Sequence, residues 1–117
     1  MRTTVIVVTV LFVVLGNGAA RAHAFLDHAS PVVGSTVPTA PHEVSLAFTQ
    51  NLEAAFSSVE VTDGSGARVD LGTPQISGST MQVGLKLLSP GTYHVHWQAL
   101  SVDTHKTEGS FTFQVGR

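Results

Sequence analysis

Apolar side chains recur at every second position through much of the chain, a spacing typical of β-strands that bury one face. Clusters of Gly, Pro, Ser and Asp separate these runs and predict turns. The pattern predicts an all-β fold of about seven short strands, arranged as a Greek-key sandwich or a small barrel. The predicted strands are residues 44–48, 59–61, 81–85, 93–97 and 111–115, with two weaker segments at 23–26 and 68–71.

The same alternation predicts which side chains form the core. Residues that share the inward phase are expected to be buried, while His94 and His96 fall in the opposite phase of their strand and are expected to face solvent. The predicted core includes Val44, Leu46, Phe48, Val95, Trp97, Phe111 and Phe113.

The first 22 residues have the pattern of an export signal rather than of the fold. Residues 5–15 are apolar except for Thr9, a run too short to span a bilayer. The triplet Ala20-Arg21-Ala22 places small residues where signal peptidase cuts. We therefore expect cleavage after Ala22, with residues 1–22 as a signal peptide and 23–117 as one domain; the alternative is an uncleaved membrane anchor.

Composition narrows the function further. The full chain has six Lys or Arg, eight Asp or Glu and no Cys, for a net charge of −2. Without a basic run, the chain lacks the charge that nucleic-acid binding requires. The absence of Cys excludes disulfides, Cys-based zinc sites and thiol catalysis.

One short segment contains the residue types of a hydrolase triad, namely Ser101, Asp103 and His105. Residues so close in sequence cannot place a serine and a carboxylate at opposite edges of one imidazole. We therefore expect no hydrolase triad here, and the sequence contains neither a nucleophile elbow nor a suitably spaced pair of carboxylates that would favour an enzyme over a binding protein.

The six histidines are more informative, because cleavage would leave His23 as the N-terminal residue. Its amine and imidazole Nδ1 could then close a chelate ring on one metal ion. Nitrogen donors of this kind favour copper over zinc and the earlier divalent ions. An N-terminal histidine by itself is also compatible with no metal role.

Asp103 and His105 are a second candidate ligand pair. On an extended segment, residues two apart point to the same side with Cα atoms about 6.5–7 Å apart, so both could reach one ion. An Asp-x-His sequence is equally typical of a solvated loop between two strands.

At these places the chain resembles the CopC family of exported copper-resistance proteins, and the resemblance covers residues 23–117. The start of that region and the strand at 44–52 are similar to the family, but the end of the chain is the most specific part. The matching segments are His23-Ala24-Phe25-Leu26, Ser30-Pro31, Gly34-Ser35, VSLAFTQNL, GTYHVHW, Ser101, Asp103-Thr104-His105, Gly109 and FTFQV.

The resemblance implies a periplasmic, immunoglobulin-like or cupredoxin-like β-sandwich that holds one Cu(II) per chain. Its ligands would be the amine and Nδ1 of His23, the imidazole of His105 and the carboxylate of Asp103, an arrangement called a histidine brace. The resemblance also implies a monomer that sequesters or transfers copper, beside a CopD-type membrane protein.

Some positions depart from the family pattern. Gln50 stands where a Glu is frequent, and Lys106 follows His105 where a proline is frequent. Residues 62–72 contain no Met, so we expect no methionine-rich Cu(I) site. The sequence leaves open the roles of His28, His94 and His96. Two other functions also remain open: a histidine-brace copper oxidase or oxygenase, and an extracytoplasmic interaction module without metal.

Overall fold

The structure, a computed structural model, describes residues 24–116. It contains eight strands in two four-stranded sheets, which confirms the predicted all-β sandwich. A single turn of 3₁₀-helix at Ala54–Phe56 precedes β4. The strands are β1 (Leu26–Ser30), β2 (Thr36–Val37), β3 (Glu43–Phe48), β4 (Ser58–Thr62), β5 (Gln75–Ser77), β6 (Thr80–Gly84), β7 (Gly91–Leu100) and β8 (Lys106–Val115).

The strand order is β1-β3-β6-β5 in one sheet and β2-β8-β7-β4 in the other. All pairings are antiparallel except that of β2 with β8. The hairpin of β7 and β8 is the longest element, because ten residues of each strand pair in continuous register. Its connecting turn carries the two predicted ligands Asp103 and His105.

Both sheets contribute alternate side chains to one core, and every predicted core residue is buried. Phe48 from the first sheet meets Trp97 from the second edge to face, with ring centroids 5.0 Å apart. Tyr93 and Phe113 stack at 5.5 Å. Met81, the only Met within the described residues, is fully buried in this core.

Gly109 makes room for Trp97 on the neighbouring strand, since the two residues are paired in register. A Cβ atom at position 109 would lie 2.6 Å from Cζ2 of Trp97. The absence of a side chain at Gly109 is therefore required for the indole to lie flat against β8.

The two weaker predicted strands are not found as predicted. Residues 68–71 form no strand and only isolated bridges, from Arg68 to Thr62 and from Asp70 to Leu85. The N-terminal strand begins at Leu26 rather than at residue 23, and it carries an irregularity between Leu26 and His28 that breaks the alternation. The short strands β2 and β5 were not predicted.

Asp70 explains why its segment leaves the strand conformation. Its buried carboxylate accepts hydrogen bonds from the backbone N–H groups of Val61 and Gly72 and from the guanidinium of Arg68. Burial alone would raise the pKa of Asp70, but these hydrogen bonds outweigh it and hold the pKa below its usual value.

The predicted signal peptide, residues 1–22, and the predicted ligand His23 lie outside the described residues. Within residues 24–116 no helix has the length and apolar character needed to cross a membrane.

Candidate copper site

A tight turn between β7 and β8 presents Asp103 and His105. The N–H of Thr104 donates to the carbonyl of Ser101 at 2.9 Å, and Thr104 has a φ of 72°. The expectation that Asp103 and His105 share one side of an extended segment is therefore wrong. The left-handed residue between them, rather than strand periodicity, determines how the two side chains approach each other.

Ser101 fixes this turn from inside the protein. It is fully buried, its hydroxyl donates to Oδ1 of Asp103, and its N–H donates to the carbonyl of His105 at 3.1 Å. The serine hydroxyl, followed by the backbone N–H of His105, lowers the pKa of Asp103. Asp103 is thus a carboxylate at neutral pH, and the buried Ser101 hydroxyl has a structural role as its hydrogen-bond donor.

Asp103 and His105 lie close enough to act on the same ion. Nδ1 of His105 is 3.4 Å from Oδ1 of Asp103, and the two side chains are 50% and 40% exposed. An imidazole nitrogen and a carboxylate oxygen suit a borderline transition metal such as Cu(II). The half-exposed position leaves a path for an ion to enter and leave.

The start of the described chain is fastened beside this turn. Ala24 is fully buried, and its carbonyl accepts a hydrogen bond of 2.7 Å from Oγ1 of Thr107, two residues after His105. The next residue, Phe25, exchanges two hydrogen bonds with Thr49: its N–H donates to Oγ1 and its carbonyl accepts from the N–H, both at 2.9 Å. Hydrogen bonds from β8 and from the residue after β3 therefore hold the backbone of Ala24 and Phe25 in place.

Within residues 24–116 the structure has no group of three His, Asp or Glu side chains that could hold a metal ion. Only the pair Asp103 and His105 of the predicted ligand set falls in this range. His28 pairs instead with Asp27, with Nδ1 and Oδ2 3.0 Å apart on the surface. His94 and His96 face outward from β7, as predicted.

Sequence reasoning missed the contacts that position the site. The sequence analysis names Ser101 as a residue type found in triads and as part of the family resemblance, but it predicts no contact with Asp103, and it does not single out Thr107 or Thr49. The spacing of Ser101 and Asp103 resembles a side-chain-stabilised turn, which is a signal that could have been used. Gln50 is partly buried just beyond β3.

Comparisons of the chain with a family model and with known proteins agree with each other. Residues 26–116 match the CopC domain. The chain is 36% identical to Protein YobA of Escherichia coli strain K12, over 80% of this chain and 79% of that protein. It is 34% identical to Copper resistance protein C of Xanthomonas campestris pv. juglandis, over 98% of this chain and 94% of that protein.

A solved structure supports the same comparison. The crystal structure of CopC from Methylosinus trichosporium OB3b has a TM-score of 0.75 to this protein at 31% identity. The match covers 80% of this chain and 94% of that chain.

Proposed function

Since the chain belongs to the CopC family, we propose that it is exported and that its mature form holds one Cu(II) ion. Proteins of this family bind copper in the periplasm and are not enzymes. The fold and the family therefore favour copper binding over an oxidase or oxygenase reaction.

The proposed ligands are the amine and Nδ1 of His23, the imidazole of His105 and the carboxylate of Asp103. The observation that carries this proposal is the hydrogen bond of Thr107 to the Ala24 carbonyl. This bond holds Ala24, the residue that follows the proposed ligand in sequence, beside the strand that follows His105. Cleavage after Ala22 would make the proposed ligand, His23, the N-terminus.

The proposed donor set also determines the metal. Three nitrogens and one oxygen should hold Cu(II) more tightly than Ni(II) or Zn(II), following the usual order of divalent affinities. The set contains no sulfur, and Met81 is buried in the core. Cu(I), which prefers thiolate and thioether ligands, should therefore be held poorly.

The proposed role is sequestration or transfer of copper by a monomer, with a CopD-type membrane protein as the recipient. The exposure of Asp103 and His105 supports transfer, since a recipient could reach the ion without unfolding the sandwich. The remaining alternative, an interaction module without metal, predicts no copper binding at all.

The test compares a chain that begins at His23 with one that begins at Ala22. One extra residue converts the His23 amine into an amide, which cannot ligate as an amine does, so Cu(II) affinity should fall by at least tenfold in a competition titration. Mass spectrometry of the exported protein establishes where cleavage occurs. Equal affinities for the two chains would refute the proposed site.

A further inference from the structure

Thr104, which separates Asp103 from His105, has a backbone conformation that is costly for its residue type. Its φ is 72°, and among residues 24–116 every other residue with a positive φ is a glycine. A side chain branched at Cβ rarely adopts this left-handed conformation, because Cβ then comes too close to the following carbonyl oxygen. Such strain persists only where surrounding contacts hold the backbone in place. The turn must therefore contain contacts that keep Thr104 left-handed.

Ser101 supplies these contacts, since it forms a hydrogen bond with each residue of the Asp103-Thr104-His105 segment. Its carbonyl accepts from the N–H of Thr104 at 2.9 Å, and its N–H donates to the carbonyl of His105 at 3.1 Å. Its hydroxyl donates to Oδ1 of Asp103. Ser101 is fully buried, so these bonds start from a fixed point in the fold. Only the hydroxyl bond belongs to the side chain and can be removed by substitution.

The Ser101 hydroxyl also determines which way the Asp103 carboxylate faces. Within residues 24–116 the contacts of this carboxylate all involve Oδ1: the Ser101 hydroxyl, and the N–H and Nδ1 of His105, each at 3.4 Å. Oδ2 makes no hydrogen bond in the same part of the chain. Because the side chain of Asp103 is 40% exposed, it could otherwise turn into solvent. The serine thus holds the carboxylate by one oxygen and leaves the other available to an ion.

We propose that Ser101 is a positioning residue of the copper site, and that its hydroxyl keeps the turn closed against the strain at Thr104. This inference rests on the proposed function, since it concerns two ligands of the same site. The buried hydroxyl acts through Asp103 rather than on the ion, by placing the carboxylate and the imidazole before copper arrives. Loss of a residue that orients a metal ligand typically lowers metal affinity about 10- to 100-fold.

The test removes first the hydroxyl and then the strain, in a chain that begins at His23. Ser101→Ala should lower Cu(II) affinity about tenfold in a competition titration, because the turn opens more often and the carboxylate is no longer held. Adding Thr104→Gly should raise the affinity again by at least threefold. Glycine adopts the left-handed conformation without strain, so the turn then closes without the hydroxyl.

The matched control is Ser57→Ala, which removes another buried hydroxyl. Ser57 forms hydrogen bonds with the backbone of Leu100, the residue before Ser101, and it contacts no proposed ligand. This substitution should lower the free energy of unfolding but leave Cu(II) affinity unchanged. The comparison therefore separates a role in positioning the ligands from a role in stabilising the fold.

Amide hydrogen exchange of the metal-free protein provides a second readout. It is measured at residue 104, whose N–H is bonded within the turn, and is corrected for the intrinsic rate of each residue type. Exchange should be faster in Ser101→Ala and slower in Thr104→Gly than in the unaltered chain. It should be unchanged in Ser57→Ala.

Equal Cu(II) affinities of the Ser101→Ala and Ser57→Ala chains would overturn the proposal, as would a Ser101→Ala chain whose affinity Thr104→Gly does not raise. Should Ser101→Ala fail to fold, Thr104→Gly alone decides, and exchange at residue 104 that is no slower than in the unaltered chain overturns the proposal. Failure of the copper proposal would appear elsewhere, as equal Cu(II) affinity of unaltered chains that begin at Ala22 and at His23.

Discussion

Replacing Thr107 by Val tests whether the hydrogen bond that holds Ala24 also positions the proposed copper ligand before it in sequence. The substitution keeps the shape of the side chain and its β-branch but removes the hydroxyl that donates to the Ala24 carbonyl at 2.7 Å. A neutral hydrogen bond contributes about 0.5–1.5 kcal/mol net. If that energy holds His23 near His105 before copper arrives, its loss should weaken Cu(II) binding roughly 2- to 13-fold, since RT is about 0.59 kcal/mol.

The same substitution leaves the carbonyl of a fully buried residue without its partner, so the metal-free protein should also lose about 1–3 kcal/mol of stability. Cu(II) affinity is measured by competition titration and stability by urea unfolding. The matched control is Thr112→Val, an exposed threonine on the same strand, which should alter neither. Full Cu(II) affinity in a destabilised Thr107→Val protein would refute the positioning role and leave a purely structural contact.

Three further predictions concern ligands, packing and pH. His105→Ala and Asp103→Ala should each weaken Cu(II) binding at least tenfold. The metal-free melting temperature should hardly move for His105→Ala, whereas Asp103→Ala should lower it, because the buried Ser101 hydroxyl loses its carboxylate partner. A variant that unfolds without copper but keeps its affinity would contradict the ligand assignment. Gly109→Ala should destabilise the fold by about 1–3 kcal/mol, because its Cβ would lie 2.6 Å from Trp97. Urea unfolding measures this loss. An unchanged unfolding midpoint would show that the indole can shift without cost. The hydrogen bonds that lower the pKa of Asp70 stabilise the fold fully above the unfolded pKa of about 3.9, and this contribution is lost as pH falls through the folded pKa. The melting temperature should therefore change little from pH 8 to 5 on account of this group. Cu(II) affinity should fall over the same range, because the proposed ligand amine, of unperturbed pKa about 7.7–8.0, must lose its proton to bind the ion.

The central strands were predictable because each has one buried and one exposed face. In β3, β7 and β8 the burial pattern alternates with the sequence, and this alternation is a local property. The strand β2 has only two residues, and it exists because it pairs with β8. The 68–71 segment has an alternating sequence, but Asp70 turns inward to meet backbone N–H groups of its neighbours. The first case depends on a partner distant in sequence and the second on the hydrogen bonds of a buried side chain, and hydrophobic periodicity predicts neither.

The candidate site, too, was only partly predictable from the sequence. The residue types and the order of Asp103 and His105 are visible in the sequence, as is the family resemblance that joins them to His23. The turn that presents them depends on the left-handed Thr104 and on the buried hydroxyl of Ser101, neither of which is specified by a strand pattern. The position of Ala24 depends on Thr107, which contacts it only after the sandwich has formed.

The hydrogen bond between Thr107 and Ala24 joins residues that are 83 apart in the sequence. Contacts of such separation form only when the chain between them has folded, because the entropy of closing so large a loop must first be offset. A site that uses the residue before Ala24 cannot exist in a partly exported, partly folded or truncated copy. Copper loading would then mark the molecules in which export, cleavage and folding are all complete, and unfinished copies would not compete with them for the metal.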